Sequence, residues 1–445
     1  MKSPALFLSL VAIASGQTTP VAISPEATRV QIQTGKGSPF LRVNDPGNHR
    51  WMVQSSTDLS TWSDGPSYRV FNGELIVPLP PRDGSSRKYY RLNSDLAASV
   101  PSTKARVLRM ETQPAEQPLN YDSPDLPVHI EQMLAFTGDP RGNTTTSEGA
   151  LLGRVLFYDK RLSLNQSVSC ASCHQPEHGW SDPRARSVGF DGQLTRRNSM
   201  GLTNLKFSYD NKFFRDDRAI GLEQAVLLPI QDPIEMGMTL DQAVQRLAAE
   251  PYYVELFTDA FGTPEINATR ISYALSQFLR TIVSTRSKWD QGVPVNFANF
   301  TAQEKEGKAI FESKCMSCHD GDHLSGVAGN NGLEFPFLDK GIGEINPGPT
   351  RDGKFHQSSL RNVGLTAPYM HDGRFQTLEE VVEFYNSGIN STPTLSKFLQ
   401  PFAKPNGMNL TEGQKAALVA FLKTLSDPSI PADSPILDPF RYEEK

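Results

Sequence analysis

Cysteine and histidine recur in one arrangement at two places, Cys170-Ala171-Ser172-Cys173-His174 and Cys315-Met316-Ser317-Cys318-His319, and together these use all four cysteines of the chain. In each copy two thiols lie on one short turn, where they can form thioethers with the two vinyl groups along one edge of a haem. The histidine that follows directly brings its imidazole under the iron as the proximal ligand. Two disulfides are the plain alternative, but cysteines so closely spaced suit a cofactor or redox motif better. A zinc site would need its ligands to converge on one tetrahedron, and a histidine straight after each second cysteine is not typical spacing for that. A thioredoxin-like motif belongs beside a βαβ pattern, which is absent. The pair therefore predicts two covalently bound haem c groups, held by Cys170, Cys173 and His174 and by Cys315, Cys318 and His319.

Helices must present these turns. Leu151, Leu152, Val155 and Leu156 keep a helical stripe just ahead of the first motif, and a helix opening near Thr301 carries Ile310 and Phe311 into the second. Thr239 with Gln242, Thr301 with Glu304, Thr377 with Glu380 and Thr411 with Gln414 each have the spacing of a capping box, in which two side chains satisfy each other's backbone N–H groups at a helix start. The order of amphipathic helix, then haem turn, thus occurs twice. The expected fold is mainly α: two cytochrome-c-like helical haem domains, over 126–295 and 296–430, preceded by a small all-β sandwich-like module.

That module spans about 25–97. Short alternating runs at Thr28-Val30-Ile32, Trp51-Val53, Tyr68-Val70 and Tyr89-Tyr90-Leu92 read as strands. Asn72-Gly73, between Tyr68–Phe71 and Glu74–Val77, predicts a two-residue hairpin. A polar, proline-containing stretch at 98–125 reads as a linker. Residues 1–16 read as a secretory signal, with Lys2, a short apolar run and small residues for cleavage; the run is too short to span a bilayer, and no later one is long enough. Export suits c-type haem attachment, so the expected location is periplasmic or otherwise exported, with no membrane-spanning segment. A net charge of −5 without any basic block argues against nucleic acid as a partner.

The segments around the two motifs resemble the bacterial di-haem cytochrome c peroxidase and MauG family. The resemblance runs through Leu152–Asp159, Arg161-Leu162-Ser163, Ser169–His174, Arg197-Asn198, Leu222–Ala225, Pro229-Ile230, Glu235-Met236 and Leu360–Gly373. It covers roughly 125–430. It implies a peroxide-reacting haem at His174 and an electron-transfer haem at His319. It places Gln224 and Glu235 over the open face of the first haem, the acid to move a proton between the peroxide oxygens and the amide to orient the molecule. It implies a calcium ion between the haems, bound by Asn198, Thr366 and Pro368 through oxygen atoms.

Three departures from the family pattern stand out. The register that holds an iron-capping histidine in many members holds Phe190, so the first haem is expected to stay five-coordinate, as in the MauG branch. The register of the second haem's sixth ligand holds Tyr385, where peroxidases usually have methionine and MauG has tyrosine; Met370 is the rival ligand. The tryptophan normally between the haems is replaced by Arg215. The resemblance implies a peroxidase reducing hydrogen peroxide to water, with electrons from a small redox protein such as cytochrome c or a cupredoxin. A MauG-like oxidase modifying a partner protein is the alternative within the family, and a non-catalytic di-haem electron-transfer cytochrome the alternative outside it. A homodimer is compatible with the resemblance.

Overall fold

Close approach of helices, set by a glycine in each, builds both halves of the haem-bearing region. The computed structural model describes the backbone of eight strands between Phe7 and Asn93 and residues 126–134, 142–208, 210–429 and 436–440. The chain divides into two units, one of Met1–Arg106 with Asp191–Gln193 and one of Val107–Phe190 with Leu194–Lys445. The second unit is mostly helical and contains both Cys-X-X-Cys-His turns.

In its first half, the helix Ser147–Tyr158 packs on the helix Ala268–Thr281. Thr146 caps the former, its hydroxyl accepting from the Gly149 N–H at 3.0 Å. A Cβ on Gly153 would lie 1.9 Å from the Ala274 carbonyl oxygen and 2.7 Å from Phe278 Cβ, so only glycine lets the two backbones meet. In the second half, the helix Ala302–Lys314 meets the helix Glu412–Lys423 in the same way. There a Cβ on Gly307 would lie 1.9 Å from the Ala417 oxygen and 2.8 Å from Phe421 Cβ. All four expected capping boxes are formed, at Thr239, Thr301, Thr377 and Thr411.

Two cores follow from this pairing. Leu152, Val155, Leu156, Phe157, Trp180, Leu275 and Phe278 are buried together in the first half, and Phe311, Leu378, Val382, Leu418, Phe421 and Leu422 in the second. The segment 436–440 returns to the first half. Its Leu437 and Ile436 carbonyls accept from Arg154 Nε at 2.6 Å and Tyr158 Oη at 3.2 Å, and Phe440 joins the first core. Asp159 and Arg161 also serve the fold: Tyr253 donates to Asp159 at 2.6 Å, and Arg161 bridges Asp159 and Glu250.

The other unit carries two four-stranded antiparallel sheets. One has the order Phe7–Leu8, Tyr89–Asn93, Arg50–Ser56, Ser63–Arg69; the other runs Val21–Ala22, Arg29–Gln33, Phe40–Asn44, Glu74–Pro78. The hairpin expected across Asn72-Gly73 is not made. Ser63–Arg69 pairs with Arg50–Ser56, whereas Glu74–Pro78 pairs in unbroken register with Phe40–Asn44, so that link joins two sheets. A local turn signal is worth little beside five-residue ladders on both sides, because an isolated hairpin is marginal in water. The strand Phe7–Leu8 falls in the segment read as an export signal; the rest of 1–16 and the expected linker at 98–125 lie outside the described residues.

Candidate haem sites

Both Cys-X-X-Cys-His segments wind into the same turn. In the first, the N–H groups of Cys173 and His174 donate to the Cys170 carbonyl at 3.2 and 3.0 Å; in the second, those of Cys318 and His319 both donate to the Cys315 carbonyl at 3.0 Å. This single-turn geometry brings the two thiols of each pair together. All four cysteines are unpaired, and among the described residues no group of three or more His, Cys, Asp or Glu converges as a metal cluster would. Burial pushes the Cys170 and Cys315 thiols up to about 12 and Cys173 to about 11, the mark of an apolar setting.

Each histidine is fixed by a backbone carbonyl. His174 Nδ1 lies 3.0 Å from the Trp180 oxygen and His319 Nδ1 lies 3.3 Å from the Leu324 oxygen. A carbonyl can only accept, so Nδ1 carries the proton and Nε2 keeps its lone pair for iron. Burial lowers the pKa of both imidazoles, His319 to about 4, which keeps them neutral as ligands must be. Both acceptor residues sit in the left-handed region, Trp180 at φ 63° and Leu324 at φ 53°. Such conformations cost on the order of 1–3 kcal/mol without glycine, and they aim each carbonyl back at its imidazole.

Around His319 lies a cavity of about 310 Å³ lined by Cys315, Cys318, Phe311, Leu378, Leu418 and Leu422, with Tyr385 and Met370 also on its wall. The donor set and the apolar walls fit a covalent haem. Both candidate sixth ligands are present: Asn331 Nδ2 reaches Met370 Sδ at 3.5 Å and Tyr385 Oη at 3.4 Å. Tyr385 lies on a π-helical turn, Phe384–Gly388, a bulge common at functional sites, and burial pushes its phenol up to about 12.

Glu235 lies in the field of both first-site thiols and raises their pKa. Its own carboxyl is pushed up to about 7 by burial and by Asp232, against a smaller pull from Arg218. Asp232 also shapes the loop, its Oδ1 accepting from the N–H groups of Ile234 and Glu235 at 2.8 and 3.2 Å. Phe190 is buried beside it: its N–H donates to the Glu235 carbonyl at 3.0 Å, and its ring packs over Gly237, where a Cβ would come within 2.4 Å. An aromatic hydrocarbon thus packs against the Glu235 loop. Gln224 is exposed on the short helix Leu222–Ala225, and its Oε1 accepts from the Ile220 N–H at 2.9 Å. With the oxygen held, the amide NH₂ is left as the outward donor. Among the described residues no hydrogen bond joins Gln224 to Glu235.

Asn198, Thr366 and Pro368 line one cavity wall with Arg215. The Asn198 N–H donates to the His371 carbonyl at 2.8 Å, and its Oδ1 accepts from Arg215 Nη2 at 3.1 Å. Two cavity-lining residues outside the expected ligand set, His356 and Arg361, are tied to acids. His356 Nδ1 lies 2.9 Å from Asp217 Oδ1, and Arg361 pairs with Asp290 at 2.5 Å. His323 is driven down to about 3 by burial, Arg361 and His356, and its Nδ1 has no partner. A sequence signal for His323 existed, since both haem turns are followed by a histidine four positions on, at His178 and His323. Trp180 Nε1 is likewise buried without a partner.

The chain matches two family models, di-haem cytochrome c peroxidase over residues 147–295 and cytochrome c over 304–426. It is 37% identical over 298 residues to the methylamine utilization protein MauG of Methylorubrum extorquens, covering 64% of this chain and 80% of that one. It is 33% identical over 337 residues to the cytochrome-c peroxidase IdrP1 of Denitromonas iodatirespirans, covering 66% and 88%. Among solved structures it is similar to a MauG-like protein associated with microbial copper homeostasis, at 33% identity and a TM-score of 0.62, over 71% of this chain and 99% of that one. With two haem turns, a carbonyl-locked imidazole at each and these relatives, the chain belongs to the di-haem cytochrome c peroxidase and MauG family.

Proposed function

We propose that this protein is a di-haem peroxidase that reduces hydrogen peroxide to water, with the His174 site reacting with peroxide and the His319 site receiving electrons from a small redox protein, a cytochrome c or cupredoxin. The observation that carries the reading is Glu235, a half-buried carboxyl pushed to about 7 beside the first pair of thiols. Haem, when bound, supplies the iron that binds peroxide and exchanges electrons. The rest is done by side chains. Glu235 takes the proton from the inner peroxide oxygen and returns it to the outer one, so that water leaves. A carboxyl poised near neutrality can do both, because neither protonation state is strongly favoured. Gln224, its oxygen held by Ile220, offers its NH₂ to orient the peroxide. Phe190 keeps this side apolar and cannot ligate iron.

A purely electron-transferring cytochrome has no use for such an acid. The MauG-like alternative, peroxide-driven modification of a partner protein, draws support from Phe190 at the capping position and Tyr385 beside the second site. The mature chain is read as exported to the periplasm. Among the described residues no helix is long and apolar enough to cross a membrane. The two sheets of the N-terminal unit are read as a sandwich-like module without chemistry of its own, and a homodimer is compatible with the family. The resting ferric spectrum tests the site reading: one high-spin haem is expected, and two low-spin haems would exclude an open peroxide site. Steady-state turnover with peroxide and reduced cytochrome c tests the activity. If the protein instead oxidises a partner and leaves cytochrome c unconsumed, the MauG-like reading takes over.

A further inference from the structure

The calcium ion that the family resemblance implies does not fit this chain. The expected ligands are neutral: the Asn198 side chain and the Thr366 and Pro368 main chain. The obstacle is that Asn198 Oδ1, the one side-chain oxygen of this set, is already engaged. Arg215 Nη2 donates to it at 3.1 Å, while Nη1 reaches Ser358 Oγ at 3.3 Å.

Arg215 is anchored there by its backbone, whose carbonyl accepts from the His356 N–H at 2.8 Å. Its side chain lines the cavity, and its Nε is buried without a partner. No carboxylate lies within ion-pair distance of it among the described residues. The adjacent acids are committed elsewhere, Asp216 to Arg197 at 2.5 Å and to Arg218 at 3.1 Å, and Asp217 to His356 at 2.9 Å. Asp372 acts on the Arg215 charge from further off, but it is itself paired with Arg374 at 2.6 Å, so a calcium ion bound to Asn198 Oδ1 at about 2.3–2.6 Å would sit directly against the guanidinium.

We infer that the Arg215 guanidinium takes the place of the metal ion between the two haem sites, so that this chain carries a permanent, covalently built cation where its relatives' pattern calls for calcium. The site needs no metal supply and resists chelators. Arg215 occupies the position where the resemblance places a tryptophan, so one substitution both removes that aromatic and supplies the charge.

The test is metal content, which does not depend on whether the protein turns over peroxide. The di-haem protein is equilibrated with millimolar calcium, desalted, and analysed for calcium per haem by atomic emission. Well below one calcium per chain is expected, with ferric and reduced spectra unchanged by EGTA. One tightly held calcium per chain in the wild type overturns the inference. Arg215→Ala frees Asn198 Oδ1 and is expected to gain about one calcium per chain under the same treatment. If Arg215→Ala keeps both haems yet stays calcium-free, the guanidinium is not what fills the site, and the inference fails. Where that variant loses haem, the wild-type calcium content and its response to EGTA decide alone.

Discussion

The two halves of the haem-bearing unit are built alike on one side of each haem turn and differently on the other. On the proximal side the repetition reaches individual atoms. A glycine, Gly153 or Gly307, meets an alanine carbonyl with a phenylalanine one turn on, and each imidazole leans on the carbonyl of a left-handed residue. On the other side the first half sets an acid of raised pKa beside a phenylalanine, and the second sets a methionine and a tyrosine under one asparagine. The lesson is a division of labour. In the function proposed above, the shared side mounts a cofactor and the unshared side decides what the cofactor does.

The comparison breaks most severely at the glycines. Gly153→Val and Gly307→Val each drive a side chain into a helix backbone, so both should abolish recovery of soluble di-haem protein, measured by haem absorbance per milligram of protein. If only one does so, the two mountings are not equivalent. Next comes the distal acid. Glu235→Gln should lower kcat/KM for peroxide by about 10²–10⁴-fold while leaving haem content intact. An unchanged rate would remove Glu235 from the chemistry.

The acid also sets two pH dependences of opposite sign. It must be ionised to accept the peroxide proton, so kcat/KM should rise as pH passes through about 7 in the wild type and lose this limb in Glu235→Gln. Stability runs the other way. A carboxyl raised from 4.5 to about 7 by folding binds more protons in the folded chain, so its contribution falls as pH rises between those values. Glu235→Gln should then be more stable than wild type at pH 8, by up to about 3 kcal/mol, and little different at pH 4, as thermal melts at both pH values would reveal.

The smallest effect sharpens the second half. Tyr385→Phe and Met370→Leu remove the two rival ligands one at a time. The wild-type sixth ligand is the one whose loss turns the His319 haem from low to high spin. The other substitution should leave the spectrum nearly unchanged.

The haem turns, the helices that carry them and their four capping boxes were legible in the sequence because each is written in residues at most a few positions apart. The Asn72-Gly73 hairpin was misread for the same reason, since a local signal says nothing about Phe40–Asn44, the partner that Glu74–Pro78 takes. Arg215 was visible as a departure from the family pattern. Its hold on Asn198 was not, because seventeen residues and a folded loop separate them. The convergence of Met370 and Tyr385 on Asn331, and the pairing of His356 with Asp217, were hidden by greater separations still. Gln224 was named from its motif, but its bond to the Ile220 N–H depends on a turn that the motif does not encode.

The carbonyls behind the two imidazoles have a consequence for how such a protein can change over time. The group that orients each iron ligand belongs to the main chain, which every residue possesses. A mutation at position 180 or 324 can alter packing or backbone comfort without deleting the acceptor itself. The cofactor's footing is thus insulated from the side-chain alphabet, while Phe190, Arg215, Glu235 and Tyr385 can each be exchanged by a single codon change. Inheritance can keep the mounting and experiment with the chemistry.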